Sequence, residues 1–248
     1  NSSIGARNFV DDTIRELSAH GTAPGDSWGD TDKFDWAMMS VFGRVVYSWK
    51  DRYTFTGSLR GDGSSRFGKG NKYGVFPSVG AGWNIHEEKF IKSAKWLNEL
   101  KLRASYGLLG NENIGLYKYQ SLINSSNGNE TTYGNPDITW EKVNMLNVGA
   151  DIRILKDINI TFDYYDKLTT DLIITPPISY VGGIEKVPMN AGELRNRGWE
   201  LDLNYNKQIT KDFGFNIHGG LSQNKNKIEE LYGGPYDNGD NINTVGYA

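Results

Sequence analysis

The segment that decides the fold is "WELDLNYN", residues 199–206. Apolar and aromatic residues (Trp199, Leu201, Leu203, Tyr205) alternate in it with acidic and amide residues. Successive side chains of a β-strand point to opposite sides, so a period of two indicates a strand with two different faces. We therefore predict a strand here that has one apolar face and one polar face.

The same alternation recurs along much of the chain. In "INITFDYYD", residues 158–166, Phe162 belongs to the apolar set and Asp163 to the polar set. Comparable apolar sets are Val45, Tyr47, Trp49, Tyr53, Phe55 and Leu59; Leu100, Leu102, Ala104, Tyr106 and Leu108; Leu146, Val148, Ala150, Ile152 and Ile154; and Phe213, Phe215, Ile217 and Leu221. With a further segment at 76–85 this predicts about eight strands. Each is near the ~9–11 residues that a tilted membrane strand needs, whereas strands of soluble domains are mostly ~5–6 residues long.

The connections between these strands alternate in length. Short turns are predicted around 50–52, 156–157 and 210–212, and an intermediate connection at 87–98 is predicted to hold a helical turn. Long polar connections are predicted at 61–73, 110–139 and 170–194, and from 224 onward. Outer-membrane barrels have short periplasmic turns and long extracellular loops, and a soluble Greek-key sandwich does not separate them so regularly. The predicted fold class is therefore all-β, an antiparallel transmembrane β-barrel segment.

Aromatic residues lie near the predicted strand ends. They are Trp49 and Tyr53 at one short turn, Tyr205, Phe213 and Phe215 at another, and Trp140 and Trp199 where strands leave long loops. Such positions are typical of the two aromatic girdles of a membrane barrel. Aromatic residues also favour strands in general, and the difference in loop length is what favours the girdle interpretation.

Composition excludes several other classes of protein. The 248 residues include no cysteine, so disulfide frameworks and thiolate sites are excluded. The net charge is −3, and no basic surface that would suit nucleic acid is indicated. No apolar run approaches the ~18 residues of a membrane helix, which is compatible with either a soluble protein or a membrane barrel.

The residue patterns of enzymes and cofactor sites are missing. The glycine-rich segment at 60–83 fits neither G-x-G-x-x-G nor the Walker A pattern, so we interpret it as a loop between strands that end at Arg60 and begin at Val75. An adhesive role for Arg60-Gly61-Asp62 rests on a match of three residues only. We expect no enzymatic activity and no cofactor.

Metal and substrate positions are weakly indicated. The three histidines, His20, His86 and His218, are too widely spaced for a metal motif. Asp237 and Asp240 could bind Ca²⁺, although an ordinary solvated loop is favoured. Loop tyrosines could stack sugars or be ordinary interface residues: Tyr117, Tyr119, Tyr133 and Tyr180. No catalytic, metal-binding, cofactor-binding or substrate-binding residue is assigned.

Longer segments resemble one family. "RGDGSSRFGKGNKYGVFPSVGAGWNIHEEKF", residues 60–90, closely resembles the most recognisable barrel segment of SusC/RagA-like TonB-dependent outer-membrane transporters. Four later segments look like successive strands of the same family, in order: "LKLRASYGLLGNENIG", "ITWEKVNMLNVGADIRI", "FDYYDKLTTDLI" and "MNAGELRNRGWELDLNYN". The resemblance covers the chain from about residue 34.

The resemblance implies an active importer in the bacterial outer membrane, in contact with membrane lipid and not with nucleic acid. Such transporters have a barrel of about 22 strands with a plugged lumen, and a SusD-like lipoprotein caps them. TonB pulls the plug and releases a glycan or peptide into the periplasm. On this basis residues 1–33 are expected to be an extracellular loop region, and residues 34–248 part of the C-terminal half of the barrel. The plug domain and the final strands are expected to lie outside the chain. The alternatives are a passive porin and a secreted, soluble β-rich glycan-binding module.

Overall fold

The computed structural model describes residues 35–123, 130–176, 187–237 and 242–247. Eight long strands form one antiparallel sheet in which each strand pairs with the next along the chain. The strands are β1 (Met38–Trp49), β2 (Tyr53–Ser64), β3 (Tyr73–Asn84), β4 (Leu97–Asn111), β5 (Glu141–Ile154), β6 (Ile158–Ile174), β7 (Met189–Gln208) and β8 (Gly214–Leu231). This confirms the predicted antiparallel all-β segment of about eight strands. Among the described residues, no helix is long and apolar enough to cross a membrane.

The register of the strands aligns the apolar residues into one band. Leu203 of β7 lies opposite Ile160 of β6 and Gly219 of β8, and Phe162 lies opposite Leu201. Many side chains of this apolar band are exposed, including Val45, Tyr47, Phe55, Leu59, Val79, Leu102, Tyr106, Val148, Phe162, Leu203, Ile217 and Leu221. A large exposed apolar surface marks contact with a membrane or another protein. Its extent over all eight strands is expected for the lipid-facing side of a barrel.

The short connections lie at one end of the sheet, as predicted. In the turn between β1 and β2, the amide of Arg52 donates to the carbonyl of Trp49 at 3.1 Å. Lys50 and Asp51 have φ of 52° and 53°, and Leu155 and Lys156, in the turn between β5 and β6, have φ of 53° and 67°. Positive φ at two successive positions of a tight hairpin turn is adopted most readily by Asn and Gly. The chain forms these turns without glycine, so the turns could be predicted from the strand pattern but not from turn residues.

The connection between β3 and β4 begins with a 3₁₀ turn at Ile85–Glu87, so the helical turn predicted at 87–98 lies at the start of this connection. Just after it, Glu88 accepts hydrogen bonds from the Tyr53 hydroxyl at 2.6 Å and from Arg52 at 3.2 Å. The indole N–H of Trp83 donates to the same carboxylate at 3.3 Å. Glu88 therefore fastens this connection to the aromatic residues at the strand ends.

The Glu88 contacts lead to a prediction about acid stability. The hydrogen bond from the Tyr53 hydroxyl lowers the pKa of the Glu88 carboxyl. A carboxyl whose pKa is lowered in the folded protein stabilises it above the pKa of the unfolded chain, and this contribution is lost as the pH falls through the folded pKa. Glu88→Gln should therefore reduce the free energy of unfolding most at neutral pH, and the difference should vanish in strong acid. Urea unfolding of the full-length protein in detergent at several pH values measures this, and a difference that grows towards low pH would contradict it.

The strands at the other end are longer than predicted. β2 continues to Ser64, β6 to Ile174 and β8 to Leu231, while β7 already begins at Met189. The long connections are accordingly 65–72, 112–140 and 175–188, and the predicted loop boundaries at 61–73, 170–194 and 224 onward were wrong. The reason is that regular apolar alternation stops at the end of the apolar band, whereas backbone hydrogen bonding between the strands continues beyond it.

Candidate functional site

The face opposite the apolar band is polar, and we call it the polar wall. Its residues include Arg44, Thr56, Ser58, Ser78, Arg103, Ser105, Asn147, Asp151, Asp163, Glu200, Asp202, Asn204 and His218. The alternation in each strand fixes this side, because every second residue must point away from the apolar band. The polar wall therefore brings together hydroxyl, amide and charged groups from all eight strands.

An ionic clamp spans three strands of the polar wall. Arg103 of β4 donates through Nε to Asp151 of β5 at 3.0 Å. Its two terminal nitrogens each donate to Asp163 of β6 at 2.8 Å. To reach Asp163 the guanidinium group crosses β5 over Gly149, where an added Cβ would lie 2.6 Å from the Asp163 carboxylate and 2.7 Å from Arg103 Cζ. The missing side chain at position 149 makes the three-strand contact possible.

This close approach predicts the effect of a single methyl group. Gly149→Ala should displace Arg103 from Asp163 and destabilise the protein by on the order of 1 kcal/mol, because the pair is partly open to solvent. Gly80→Ala on the same wall is the control, since its Cβ would meet only ordinary contacts, the nearest at 3.6 Å. It should be neutral or slightly stabilising. Urea unfolding in detergent compares the two variants, and equal stabilities would rule out the clamp as the reason for the glycine.

Beyond the clamp the polar wall is mixed in charge. His218 of β8 contacts the carboxylate of Asp202, and the amides of Asn204, Asn206 and Asn216 contact one another. Within the described ranges, no group of three His, Cys, Asp or Glu residues is placed to hold a metal ion. The polar wall thus offers hydrogen-bond donors and acceptors together with side chains of both charges. It does not bring reactive groups together at one point.

A hollow of about 560 Å³ lies mainly on the polar wall between β2, β3, β4 and β5. Ser58 and Ser78, which line it, share a hydrogen bond of 2.6 Å. Glycines 80 and 107 and the small side chain of Ser105 leave the space open, and Arg44, Met145 and Asn147 are among its other lining residues. The hollow combines hydroxyl, amide and guanidinium groups with thioether surface, a combination that suits uncharged polar solutes.

A buried cluster lies at the long-loop end, and we call it the loop core: Phe67, Phe76, Ile114, Ile138 and Trp140. The ring of Trp140 lies 5.0 Å from that of Phe67 and 5.6 Å from that of Phe76. Pairing between β3 and β4 ends at Ser78 opposite Gly107, and Phe76 lies beyond that point. A Cβ at Gly110 would lie 2.0 Å from the Phe76 ring, so glycine is required beside it.

Polar contacts fix the loops around the loop core. The Trp140 indole donates to the carbonyl of Lys72 at 3.3 Å, and Arg66 donates to the carbonyl of Ile114 at 2.8 Å. The amide of Asn190 bonds to the backbone of Thr139 in both directions, at 2.8 and 3.0 Å. Segments far apart in sequence are therefore held together at the long-loop end.

The sequence-predicted positions are distributed over the molecule. His86 accepts from the amide of Leu100 at the short-turn end, while His218 lies on the polar wall, so the two are not brought together. Tyr117, Tyr119 and Tyr133 lie in the connection between β4 and β5. His20, Tyr180, Asp240 and all of residues 1–33 lie outside the described residues.

One interpretation of a single residue was wrong, and one role that the sequence did not favour is excluded. Asp62 is only 5% exposed and is held by Arg60 at 2.8 Å inside β2, so the Arg60-Gly61-Asp62 segment does not present an adhesive loop. Trp140 is 4% exposed in the loop core and therefore does not belong to an aromatic girdle. Both outcomes arise because the strands and the packed loops extend beyond the end of the apolar pattern.

The remaining girdle residues lie on the side of the apolar band. Trp49 stacks on Tyr53 at 5.6 Å, and Tyr205 meets Phe215 edge to face at 5.5 Å, both at the short-turn end. Sequence reasoning did not assign five further exposed aromatic residues to a girdle, although it placed Tyr106 and Tyr164 on apolar strand faces. Trp83 stacks on Tyr53 at 6.2 Å, and the other four are Tyr73, Tyr106, Tyr164 and Phe90. Tyr73, Tyr106 and Tyr164 lie in step with the apolar positions of their strands, and this alternation was the signal that could have identified them.

A sheet with an exposed apolar band, a polar opposite face and loops sorted by length forms the wall of an outer-membrane β-barrel with a polar lumen. The polar wall is then the lumen wall, and the long loops are extracellular. Residues 4–246 match the family model described as "TonB dependent receptor-like, beta-barrel", and the chain belongs to this family. Proteins of this family are transporters of the outer membrane and not enzymes.

Individual relatives agree with this family. The chain is 38% identical to TonB-dependent receptor P39 of Formosa agariphila over 209 residues. The aligned region covers 81% of the chain and 20% of that receptor. The chain is 36% identical over 213 residues to TonB-dependent receptor SusC of Bacteroides thetaiotaomicron, covering 79% of the chain and 21% of SusC. The structure of the RagAB peptide transporter matches 96% of the chain and 28% of the matched RagAB chain, with a TM-score of 0.82 and 30% identity.

The chain spans only part of its relatives. It covers between 20% and 24% of the length of the curated relatives it matches. The structure therefore describes a sector of a larger barrel, and the described strands supply one part of its lumen wall and its lipid-facing surface.

Proposed function

We propose that the whole protein is a TonB-driven importer of peptides or glycans that works with a SusD-like lipoprotein as its extracellular lid. The observation that carries this proposal is the match over 96% of the chain to a transporter whose structure is named as a peptide importer. The relationship to SusC supports the same type of transporter. In this proposal residues 1–33 are an extracellular loop region and residues 34–248 are part of the barrel.

The side chains of the lumen wall are suited to solutes that both donate and accept hydrogen bonds. Its charges are mixed, since Arg103 is shared between Asp151 and Asp163, and His218 is paired with Asp202. The hollow beside Ser58 and Ser78 adds hydroxyl groups. Peptides and glycans both bind through many weak polar contacts, and neither requires a surface whose charges all have the same sign.

The loop core supports the proposed lid. A lid that closes repeatedly needs a rim with a fixed shape, because ordering a mobile loop at each closure would cost conformational entropy. Trp140 and Phe67 are buried, and the Trp140–Lys72 contact ties two extracellular connections together. The described parts of these two connections are thus held together by contacts within the chain itself.

The direct test is uptake by cells that lack the full-length gene. Deletion should abolish uptake of either labelled oligopeptides or labelled oligosaccharides, and the complete gene should restore it. Loss of uptake on dissipation of the proton-motive force, or on deletion of the lid lipoprotein, would support the TonB-driven and lidded mechanism. Uptake that continues in de-energised cells would instead support the passive porin, and unchanged uptake of both solutes after deletion would overturn the proposed substrates.

A further inference from the structure

Four cations lie on the outward face of β7 and β8, just beyond the extracellular end of the apolar band. They form what we call the outward basic patch: Arg195, Arg197, Lys225 and Lys227. Trp199, on the same side as Leu201 and Leu203, separates the patch from the apolar residues. Aromatic girdle residues lie at the level of the lipid headgroups, so the patch meets the headgroups of the outer leaflet.

The patch contains two like-charged pairs. Arg197 lies directly opposite Lys225, and Arg195 lies directly opposite Lys227. Like charges in directly opposed positions destabilise a sheet unless another group compensates them. Two such pairs side by side give a local excess of positive charge that nearby anions must compensate.

The neighbouring carboxylates compensate only part of this positive charge. Asp166 of β6 accepts from Arg195 at 2.9 and 2.6 Å and from Arg197 at 3.0 Å. Glu229 contacts Lys227 at 2.6 Å. Four cations against two carboxylates leave a net charge of +2 in this group of contacting and opposed residues. Glu193 lies one step further along β7, at the outer limit of the patch.

Donor groups remain available on the exposed side of the patch. Asp166 engages Arg197 through Nε, and the Arg197 side chain is 49% exposed on the outward face of β7. Lys225 lies directly opposite it in β8. A planar guanidinium next to an ammonium group suits the oxygens of a phosphate, which Arg binds in a bidentate manner.

We propose that the outward basic patch binds the phosphate groups of an anionic lipid in the outer leaflet. The position next to the apolar band identifies the source of the phosphate: the lipid's acyl chains cover the band while its headgroup reaches Arg197 and Lys225. Basic residues beside a membrane segment bind anionic headgroups in the same way. The bound phosphate would supply the negative charge that the opposed cations lack.

The experiment uses the full-length receptor in nanodiscs that contain lipid A either with its phosphate groups or after their enzymatic removal. The test variant is Arg197→Gln with Lys225→Gln, which leaves the Arg195–Asp166 pair in place. The matched control is Lys101→Gln with Lys167→Gln, which removes the same charge from the lumen wall. Native mass spectrometry measures the lipid retained by each receptor, and heat-modified electrophoresis shows that each barrel is folded.

We expect wild type and control to retain phosphorylated lipid A and to discriminate against the dephosphorylated form. Each cation near an anionic surface contributes about 1 kcal/mol, so the test variant should bind roughly 30-fold more weakly. Inorganic phosphate at millimolar concentration should not displace the lipid, whereas displacement would identify a site for soluble anions and overturn the proposal. Equal retention of the two lipid forms, or an equal loss in the control variant, would also overturn it.

Discussion

Leu203→Arg is expected to lower the stability of the full-length barrel in lipid by roughly 2–4 kcal/mol, the cost of a cation near the bilayer midplane. Leu203 lies in β7 between Tyr205 towards the short turns and Trp199 towards the extracellular loops. Its side chain is 43% exposed on the apolar band. An arginine there must either enter hydrocarbon or draw water into it. Refolding yield and urea unfolding in lipid vesicles measure the effect.

Asp202→Arg is the matched control, because its side chain lies on the lumen wall one residue away. It loses the contact with His218, but that pair is half exposed and contributes little. The variant should therefore assemble almost normally. Phe162→Arg against Asp163→Arg repeats the comparison in β6, although Asp163→Arg also removes a partner of Arg103 and should cost somewhat more.

Environment-sensitive labels separate a membrane barrel from any other sheet with an apolar face. Single cysteines at positions 203 and 162, in this cysteine-free sequence, should carry a dye that reports hydrocarbon in liposomes. Cysteines at positions 202 and 163 should report water. Water at all four positions would contradict the membrane assignment, while a reversed pattern would mean that the two faces are exchanged.

The two faces of the sheet could be predicted from the sequence because hydrocarbon imposes the alternation directly on each strand. A polar residue in place of Leu203 or Phe162 would be costly on its own, whatever its neighbours are. The antiparallel order of the strands follows from the short turns, since a three-residue connection such as 50–52 permits only a hairpin.

The ionic clamp and the loop core could not be predicted in the same way. Arg103 and Asp163 are 60 residues apart, and their contact depends on the register of two strand pairs and on the missing side chain of Gly149. Periodicity gives the side on which a residue lies but not its neighbour two strands away. Trp140 likewise contacts Lys72 across 68 residues, and no local pattern distinguishes a buried loop tryptophan from one at the membrane interface.

Trp140→Ala is expected to destabilise the loop core by about 3–5 kcal/mol, the usual cost of removing a buried tryptophan. The change removes contacts with Phe67 and Phe76 and leaves the carbonyl of Lys72 without its indole donor. The loss should be local. The β3–β4 ladder already ends at Ser78 opposite Gly107, so the membrane-spanning part of the sheet does not depend on the cluster. Amide hydrogen exchange should therefore accelerate in residues 65–72 and 133–140 while the strands stay protected.

Trp199→Ala distinguishes burial in the loop core from a place in the girdle. Trp199 lies on the outward face and donates to Gln223 of β8, so its loss should weaken the membrane interface without loosening the extracellular loops. In intact cells, added protease should cut the Trp140→Ala receptor in these loops and leave the Trp199→Ala receptor whole. Equal resistance of both variants would contradict the loop core as the element that orders the rim. The two tryptophans are equally large and differ only in what surrounds them, so the comparison is matched. Cleavage of the Trp199→Ala receptor alone would therefore mean that the rim depends on the membrane interface.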